Sequence, residues 1–459
     1  MELIVVNLCF KILTKIKGFF DKLRYSKGHG GILARGAIGV FILKIAGTAF
    51  LFGLHVLLAR LLGVRQYGIY VYAITWLNIL VILCLLGFQT SLVRFIAEYK
   101  IKHQWSLLRG LLRRSEQIVL GFTIAVSLSG MIFLWAMCDR LVGEITVTFY
   151  IAFFALPFMS FYQLRAASLR ALKHVFRAEL LLCIIRPVLM SFIVICLFFF
   201  VGDSYKAGHA MVADLAAVIS VSVTGAVFLH KLLPKAVFRT QPDFENTQWL
   251  KVSLPLLFVA GMHIILKRTD IIMVGAILNP DSAGVYSAAS RISDLVVFGL
   301  VAINSILAPI IAELYHTGQQ KQLQKIISLA ARAIFVFTLT TSAILAVSGK
   351  HLLLFFGLEF VSAFTPLLIL LFSQTVNALA GPVGYIMTMT GHQKQAGAII
   401  TISAAVNVIL NFFFIRLLGL IGAAISTTFT MIFWNTAMFI YVRQKIGISP
   451  SITKISKAI

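Results

Sequence analysis

Lys267, Arg268, Asp270, Arg291 and Asp294 stand inside two otherwise apolar stretches between Ser253 and Tyr315. A charge at bilayer depth costs about 2.5 to 3.5 kcal/mol on insertion scales, so five of them in neighbouring helices call for partners or a wet cavity. His263, Lys267 and Asp270 recur at i, i+4 and i+7, which sets them on one helix face at about 3.6 residues per turn, while Arg268 points about 100° away. On the next apolar stretch Ser287, Arg291, Asp294 and Ser305 form one stripe. The chemistry open to such a set is electrostatic. Arg forks onto paired oxygens of an anion, and Lys acts as a mobile point charge. The same residues also form i, i+3 pairs, Lys267 with Asp270 and Arg291 with Asp294, that would neutralise one another within a helix. Redox and metal chemistry find no footing. The ten histidines form no HExxH-type pattern, and Cys9, Cys84, Cys138, Cys183 and Cys196 form no CxxC pair. The expectation is no metal, no cofactor and no disulfide framework.

Composition decides what positions these charges. The chain of 459 residues is 60% apolar and 12% charged, with a mean hydropathy of +0.96. Soluble domains carry about 25% charged residues, so this is a polytopic membrane protein. The formal charge of +24 would point to nucleic acid in a soluble protein. Here the cations sit in short loops between apolar spans, where they specify topology, and no nucleic-acid partner is expected. A helix needs about 20 apolar residues to cross a hydrocarbon core of about 30 Å. Twelve such spans can be laid down, near 38–60, 68–90, 115–138, 145–167, 179–201, 208–230, 252–277, 283–312, 328–348, 363–390, 395–415 and 420–442. Gly381-Pro382 predicts a kink in the tenth. Residues 1–36 interleave apolar residues with Lys11, Lys15, Lys17, Lys22, Arg24 and Lys27 and lack a small-residue cleavage site. They read as a basic amphipathic cytoplasmic segment on an anionic leaflet rather than a cleaved leader.

With the N-terminus inside, 29 Lys and Arg fall on inner segments, 6 on outer ones and 5 within spans, Lys44, Arg186, Lys267, Arg268 and Arg291. That bias places both termini in the cytoplasm. Arg186, beside Pro187, is expected to pair with Asp214 on the next span. The chain also repeats. Gly68-Ile69-Tyr70 recurs as Gly284-Val285-Tyr286, and Ile96-Ala97-Glu98 with Tyr99 recurs as Ile311-Ala312-Glu313 with Tyr315, at offsets of 216 and 215. Six spans separate the copies, and an even number of crossings preserves orientation. The expected fold is therefore all-α, with twelve transmembrane helices in two six-helix lobes related by a pseudo-twofold axis along the membrane normal. The lobes are 37–230 and 252–445, with a cytoplasmic linker at 231–251 and a cytoplasmic tail at 446–459.

These residues resemble a known family. Ala59-Arg60-Leu61-Leu62-Gly63 followed by Tyr67-Gly68-Ile69-Tyr70 is similar to the start of the polysaccharide-biosynthesis transporters of the multidrug/oligosaccharidyl-lipid/polysaccharide superfamily, which includes the Wzx O-antigen flippases. Asp270-Ile271-Ile272-Met273-Val274-Gly275, then Ala283-Gly284-Val285-Tyr286 with Ala288 and Arg291, resembles the family's second-half signature. Asn407 and Asn411, then Gly419 and Gly422-Ala423-Ala424, resemble its C-terminal pattern, although Phe414-Ile415-Arg416 stands where a proline is usual. The resemblance covers roughly residues 36–440. Twelve spans rather than the fourteen of lipid II flippases count against a peptidoglycan precursor.

The resemblance implies a flippase of the bacterial inner membrane that moves an undecaprenyl-pyrophosphate-linked oligosaccharide, an O-antigen or other surface-polysaccharide repeat unit, across the bilayer by alternating access. Its partners would be that lipid-linked glycan, the lipid bilayer, and a polymerase and other polysaccharide-assembly proteins. An anionic headgroup calls for fixed cations, so Lys44, Lys267, Arg268 and Arg291 are the expected substrate-binding residues. Lys44 shares a face with Thr48 and His55. Asp270 and Asp294 are the candidate ion-coupling residues, since a desolvated carboxylate binds a proton or sodium. One alternative is a cation-coupled multidrug or small-molecule exporter of the same superfamily. Against it, five intramembrane cations face Asp214, Asp270 and Asp294, and that balance favours an anionic cargo. The other alternative is a membrane polymerase or glycosyltransferase, but the outer loops carry few carboxylates for acid–base chemistry. No enzyme is expected.

Overall fold

The computed structural model describes residues 29–137 and 143–450. The amphipathic segment up to residue 28, Cys9, Cys138, Arg140 and residues 451–459 lie outside the described residues. The described residues form helices joined by turns and short irregular stretches, with no strand among them. The helices are α1 His29–Cys84, α2 Phe88–Ile101, α3 Trp105–Ala136, α4 Gly143–Ala171, α5 Val175–Val201, α6 Ala207–Leu232, α7 Asn246–Ile277, α8 Pro280–Asp294, α9 Val297–His316, α10 Gln320–Phe356, α11 Phe364–Ala380, α12 Val383–Met389, α13 Gln393–Leu418 and α14 Leu420–Tyr441.

Among the described residues ten helices are long and apolar enough to cross a membrane. The first runs over 46 residues, Gly39–Cys84. At about 1.5 Å per residue that is about 69 Å, more than two hydrocarbon cores, and Gly63 breaks it at φ 68° and ψ 173°. α1 thus supplies the first two expected spans. The eighth expected span is instead two helices, α8 and α9, separated at Leu295–Val296. The count of twelve is therefore not reproduced by length and hydropathy alone. The predicted kink at Gly381-Pro382 is present: α11 ends there, Gly381 lies at φ 72°, and the chain resumes as the short α12. Phe199, Phe200, Trp135 and Val347 point outward, as side chains facing lipid must.

The internal repeat is written into the turns. His103 and Gly318, 215 positions apart, both take positive φ and both precede a long helix, α3 and α10. The flanking bonds match as well: Lys102 N–H to Glu98 O and Gln104 N–H to Tyr99 O in one half, Thr317 N–H to Glu313 O and Gln319 N–H to Leu314 O in the other. Lys173 and Gly391 form a second such pair, at φ 70° and 87°. Gly202 and Gly419 form a third, at φ 61°, ψ −138° and φ 60°, ψ −132°. Left-handed backbone costs a non-glycine residue about 1 to 2 kcal/mol. Its persistence at His103 and Lys173, where the other half has glycine, shows that the turn geometry is required in both.

Close contacts group the described residues into two compact units, Gly36–Arg268 and the residues from Thr269 onward together with 29–35, with one seam inside α7. Within the first, α4 packs along α6. The buried faces carry Ala152, Ala155, Ala166 and Ala167 on α4 and Ala210, Ala213, Ala217 and Gly225 on α6. Small side chains let two backbones approach where no hydrophobic effect drives helices together. Gln66 ties the starts of both helices, donating to Glu144 Oε2 at 2.6 Å and accepting from Ala207 N–H at 3.0 Å. The basic stretch 231–251 is bound down rather than loose. Arg109 donates to the carbonyls of Phe238 and Thr240 at 3.0 and 2.6 Å, and Asp243 N–H donates to Ser106 O at 3.1 Å. A Cβ at Gly110 would run into the Asp243 carbonyl, so only glycine lets the stretch lie this close. Within the second unit α13 packs on α14, with Asn411 Nδ2 donating to Asn407 Oδ1 at 3.0 Å and Asn407 Nδ2 to Thr430 Oγ1 at 3.2 Å. The two asparagines of the C-terminal pattern are thus an interhelical clamp.

Candidate functional site

α7 is anchored at its start. Trp249, fully buried, donates its indole N–H to Tyr99 Oη at 2.9 Å, and Tyr99 donates to Glu245 Oε2 at 3.1 Å. One turn on, the buried Ser253 and Ser91 hydroxyls meet at 2.6 Å. A Cβ at Gly87 would strike the Ser253 carbonyl, and Gly87 itself sits at φ 80°, so the turn between α1 and α2 is fitted to α7 by glycine alone. From this anchor α7 carries His263 and Lys267 as exposed residues and Arg268 as a half-buried one. All three belong to the first unit.

Past the seam the environment changes. Asp270 is 5% exposed and accepts from the Tyr286 hydroxyl at 3.0 Å. Tyr286 is itself wholly buried on α8. This helix opens with Pro280 at its first position, which has no N–H to strand, and Asn279 caps it by accepting from Ser282 N–H at 2.8 Å. It buries Ala283 to Ala289 and leaves Arg291 half-buried and Asp294 exposed. Asp270 and Asp294 are therefore unlike: one is held by a phenol in the core, the other is open. The expected stripe from Ser287 to Ser305 does not persist, because Leu295 N–H and Val296 N–H bond to Ile292 O and Ser293 O three residues back and turn the chain between α8 and α9. The Ser305 side chain lies outside the described residues.

In the first unit Lys44 is exposed on α1 and Thr48 Oγ1 donates to its carbonyl at 3.0 Å. His55 departs from the expected polar face: it is 5% exposed and lies 3.3 Å from Tyr67 Oη. Arg186 does pair with Asp214 as expected. Its Nη2 reaches Oδ1 and Oδ2 at 2.9 and 3.0 Å, its Nε reaches Oδ1 at 3.2 Å, and Nη1 donates to Tyr162 Oη at 3.1 Å. A π-turn at Leu181–Ile185 precedes it and absorbs the amide that Pro187 lacks. Sequence reasoning missed the tyrosines, Tyr162 on Arg186 and Tyr286 on Asp270. Tyr286 carried a usable signal, since it recurs as Tyr70 in the repeat.

The set can hold charge, and among the described residues no group of three or more His, Cys, Asp or Glu is placed to hold a metal ion. A family described as polysaccharide biosynthesis protein matches residues 33–315. A probable low-salt glycan biosynthesis flippase, Agl15 of Haloferax volcanii, is 24% identical over 159 residues, which are 34% of this chain and 34% of that protein. The match thus spans about a third of the relative's length. Among solved structures, the lipid II flippase MurJ in an inward closed conformation superposes with a TM-score of 0.67 at 15% identity, covering 89% of this chain and 87% of MurJ. An inward-facing multidrug resistance MATE family transporter of the MOP superfamily gives 0.64 at 15% identity, covering 90% and 93%. At such identities the likeness is one of fold.

Proposed function

The chain belongs to the polysaccharide biosynthesis protein family, and from that membership we propose that it is a flippase carrying an undecaprenyl-pyrophosphate-linked oligosaccharide across the bacterial inner membrane. The observation that carries the reading is that the matched region, residues 33–315, contains all four proposed ligands of the headgroup, Lys44, Lys267, Arg268 and Arg291. The exposed Lys44 and Lys267 are free to follow a moving headgroup, while the half-buried Arg268 and Arg291 are held more rigidly, which suits their forked donors. The named flippase relative and the MurJ-like fold support the same reading. A polymerase and other assembly proteins would take the unit onward. The experiment is translocation of such a lipid by the purified protein in proteoliposomes.

Orientation follows from the charge bias, which puts Lys102, His174 and Gln241 in the cytoplasm and Lys206 and Lys350 outside. Single cysteines at these positions are expected to react with an impermeant thiol reagent from whole cells only at 206 and 350. Labelling at 102 would overturn the orientation.

Asp270 is the proposed coupling residue and Asp294 the weaker second, because only Asp270 is buried against a hydroxyl that can follow its protonation. Asp270→Asn is expected to abolish the dependence of transport on pH or sodium, and Asp294→Asn to change it little. An Asp270→Asn protein that keeps the wild-type dependence would remove Asp270 from the coupling step.

A further inference from the structure

The Gly36–Arg268 unit has a cavity of about 520 Å³ lined by Gln89, Thr90, Val93 and Arg94 of α2 and Arg170 at the end of α4. The volume lies in the range of small-molecule sites. Its charge is one-sided. Arg94 is exposed, and Arg170 reaches Glu179 at only 3.6 Å with 36% of its side chain accessible. Gly47, one turn after Lys44 on α1, lies against Cys183, which donates to Glu179, the partner of Arg170. Of the carboxylates nearby, Glu98 is committed to Lys102 at 2.7 Å, a contact that holds it below the usual carboxylate range. Glu179 is buried and receives Cys183 Sγ–H at 3.6 Å besides Arg170. Neither carboxylate forms an ion pair with Arg94, though Glu98, one turn on along α2, feels its charge.

We propose that this cavity is a diphosphate-binding site, in which Arg94 and Arg170 hold the anion from two helices and Gln89 and Thr90 hydrogen-bond its oxygens. Two guanidinium forks on separate helices suit a group with two linked phosphates better than a lone carboxylate. The polar side chains on α2 supply donors that a bare basic rim would lack. Val93, more than a third exposed, gives the site an apolar wall along which a prenyl tail can leave. The Lys and Arg bias assigns this end of the unit to the cytoplasm, where a lipid-linked cargo is made. The site is thus the one that receives the headgroup before Lys267 and Arg291 do. It rests on the transport reading above.

The test is equilibrium binding to the purified full chain of farnesyl diphosphate, farnesyl monophosphate and inorganic diphosphate. Farnesyl diphosphate is expected to bind, and Arg94→Ala and Thr90→Val, neither of which strands a buried partner, to weaken it by about ten- to a hundredfold and severalfold respectively. Arg170→Ala leaves Glu179 buried without its cation, so Arg170→Gln, checked by thermal melting, is the variant to use. Tighter binding of farnesyl diphosphate than of inorganic diphosphate identifies the lipid headgroup as the source. Equal binding identifies free diphosphate and overturns the receiving role. Wild-type binding in Arg94→Ala together with loss in Lys267→Ala, Arg291→Ala overturns this site and leaves the transport reading standing. No binding of farnesyl diphosphate by the wild-type chain overturns both.

Discussion

A Lys267→Ala, Arg291→Ala double variant is expected to leave a flippase-null host almost devoid of surface polysaccharide while the protein accumulates in the membrane at the wild-type level. Each charged hydrogen bond to an anion contributes about 1.5 to 3 kcal/mol, so each loss weakens binding by about ten- to a hundredfold, and two losses multiply unless the ligands compensate. Abundance should hold because Lys267 is exposed and Arg291 half-buried, on helices whose buried faces are made by other residues. Arg291→Lys should fall nearer to the alanine variant than a charge count suggests, since the fork is lost with the charge retained. The measurement is surface polysaccharide against membrane abundance in the same cells. Full polysaccharide from the double variant would mean that these cations serve the helices and not the cargo.

Asp214→Ala is expected to be the most destabilising single change in the first unit. Asp214 is wholly buried, and three donor contacts from Arg186 converge on it. Removing it leaves a guanidinium in apolar surroundings with Tyr162 as its remaining hydrogen-bond acceptor from that set, a loss of about 3 to 5 kcal/mol for a broken buried pair. Replacing both partners, as Arg186→Met with Asp214→Leu, should restore most of the stability, because two desolvated charges disappear together. Thermal melting of the purified protein in detergent separates the cases. An Asp214→Ala protein that melts with the wild type would show that the pair contributes little.

The same pair shows where the sequence was legible. Apart from Glu179 at the start of the first, Arg186 and Asp214 are the lone charges of two adjacent apolar spans, and hydrocarbon leaves such charges few options but each other. Apolar runs of span length, the glycine-proline kink at Gly381 and the repeat were legible for similar reasons: each follows from a local rule that tertiary packing does not override. The break at Leu295–Val296 was not, because Asp294-Leu295-Val296-Val297 contains no proline or glycine and the chain turns by switching to shorter-range bonds. Nor was the seam at Arg268/Thr269, which falls inside one continuous helix with no change of composition. The stretch 231–251 looked like a free linker from its Lys, Pro and Asp content. Its attachment depends on long-range donors, Arg109 and Trp249, and on the missing side chain of Gly110, none of which periodicity can reveal.

The proposed cargo is an anion attached to lipid, held by Lys44, Lys267, Arg268 and Arg291 after Arg94 and Arg170 receive it. The direct measurement is reconstitution of the purified chain into proteoliposomes that carry a fluorescent undecaprenyl-pyrophosphate-linked oligosaccharide in one leaflet. Leaflet exchange is read by an impermeant quencher or a glycan-cleaving enzyme added outside. The expected result is exchange that depends on the protein, fails with a monophosphate-linked analogue and falls at least tenfold in the Lys267→Ala, Arg291→Ala variant. Exchange no faster than in empty vesicles, with a cationic drug transported instead, would contradict it.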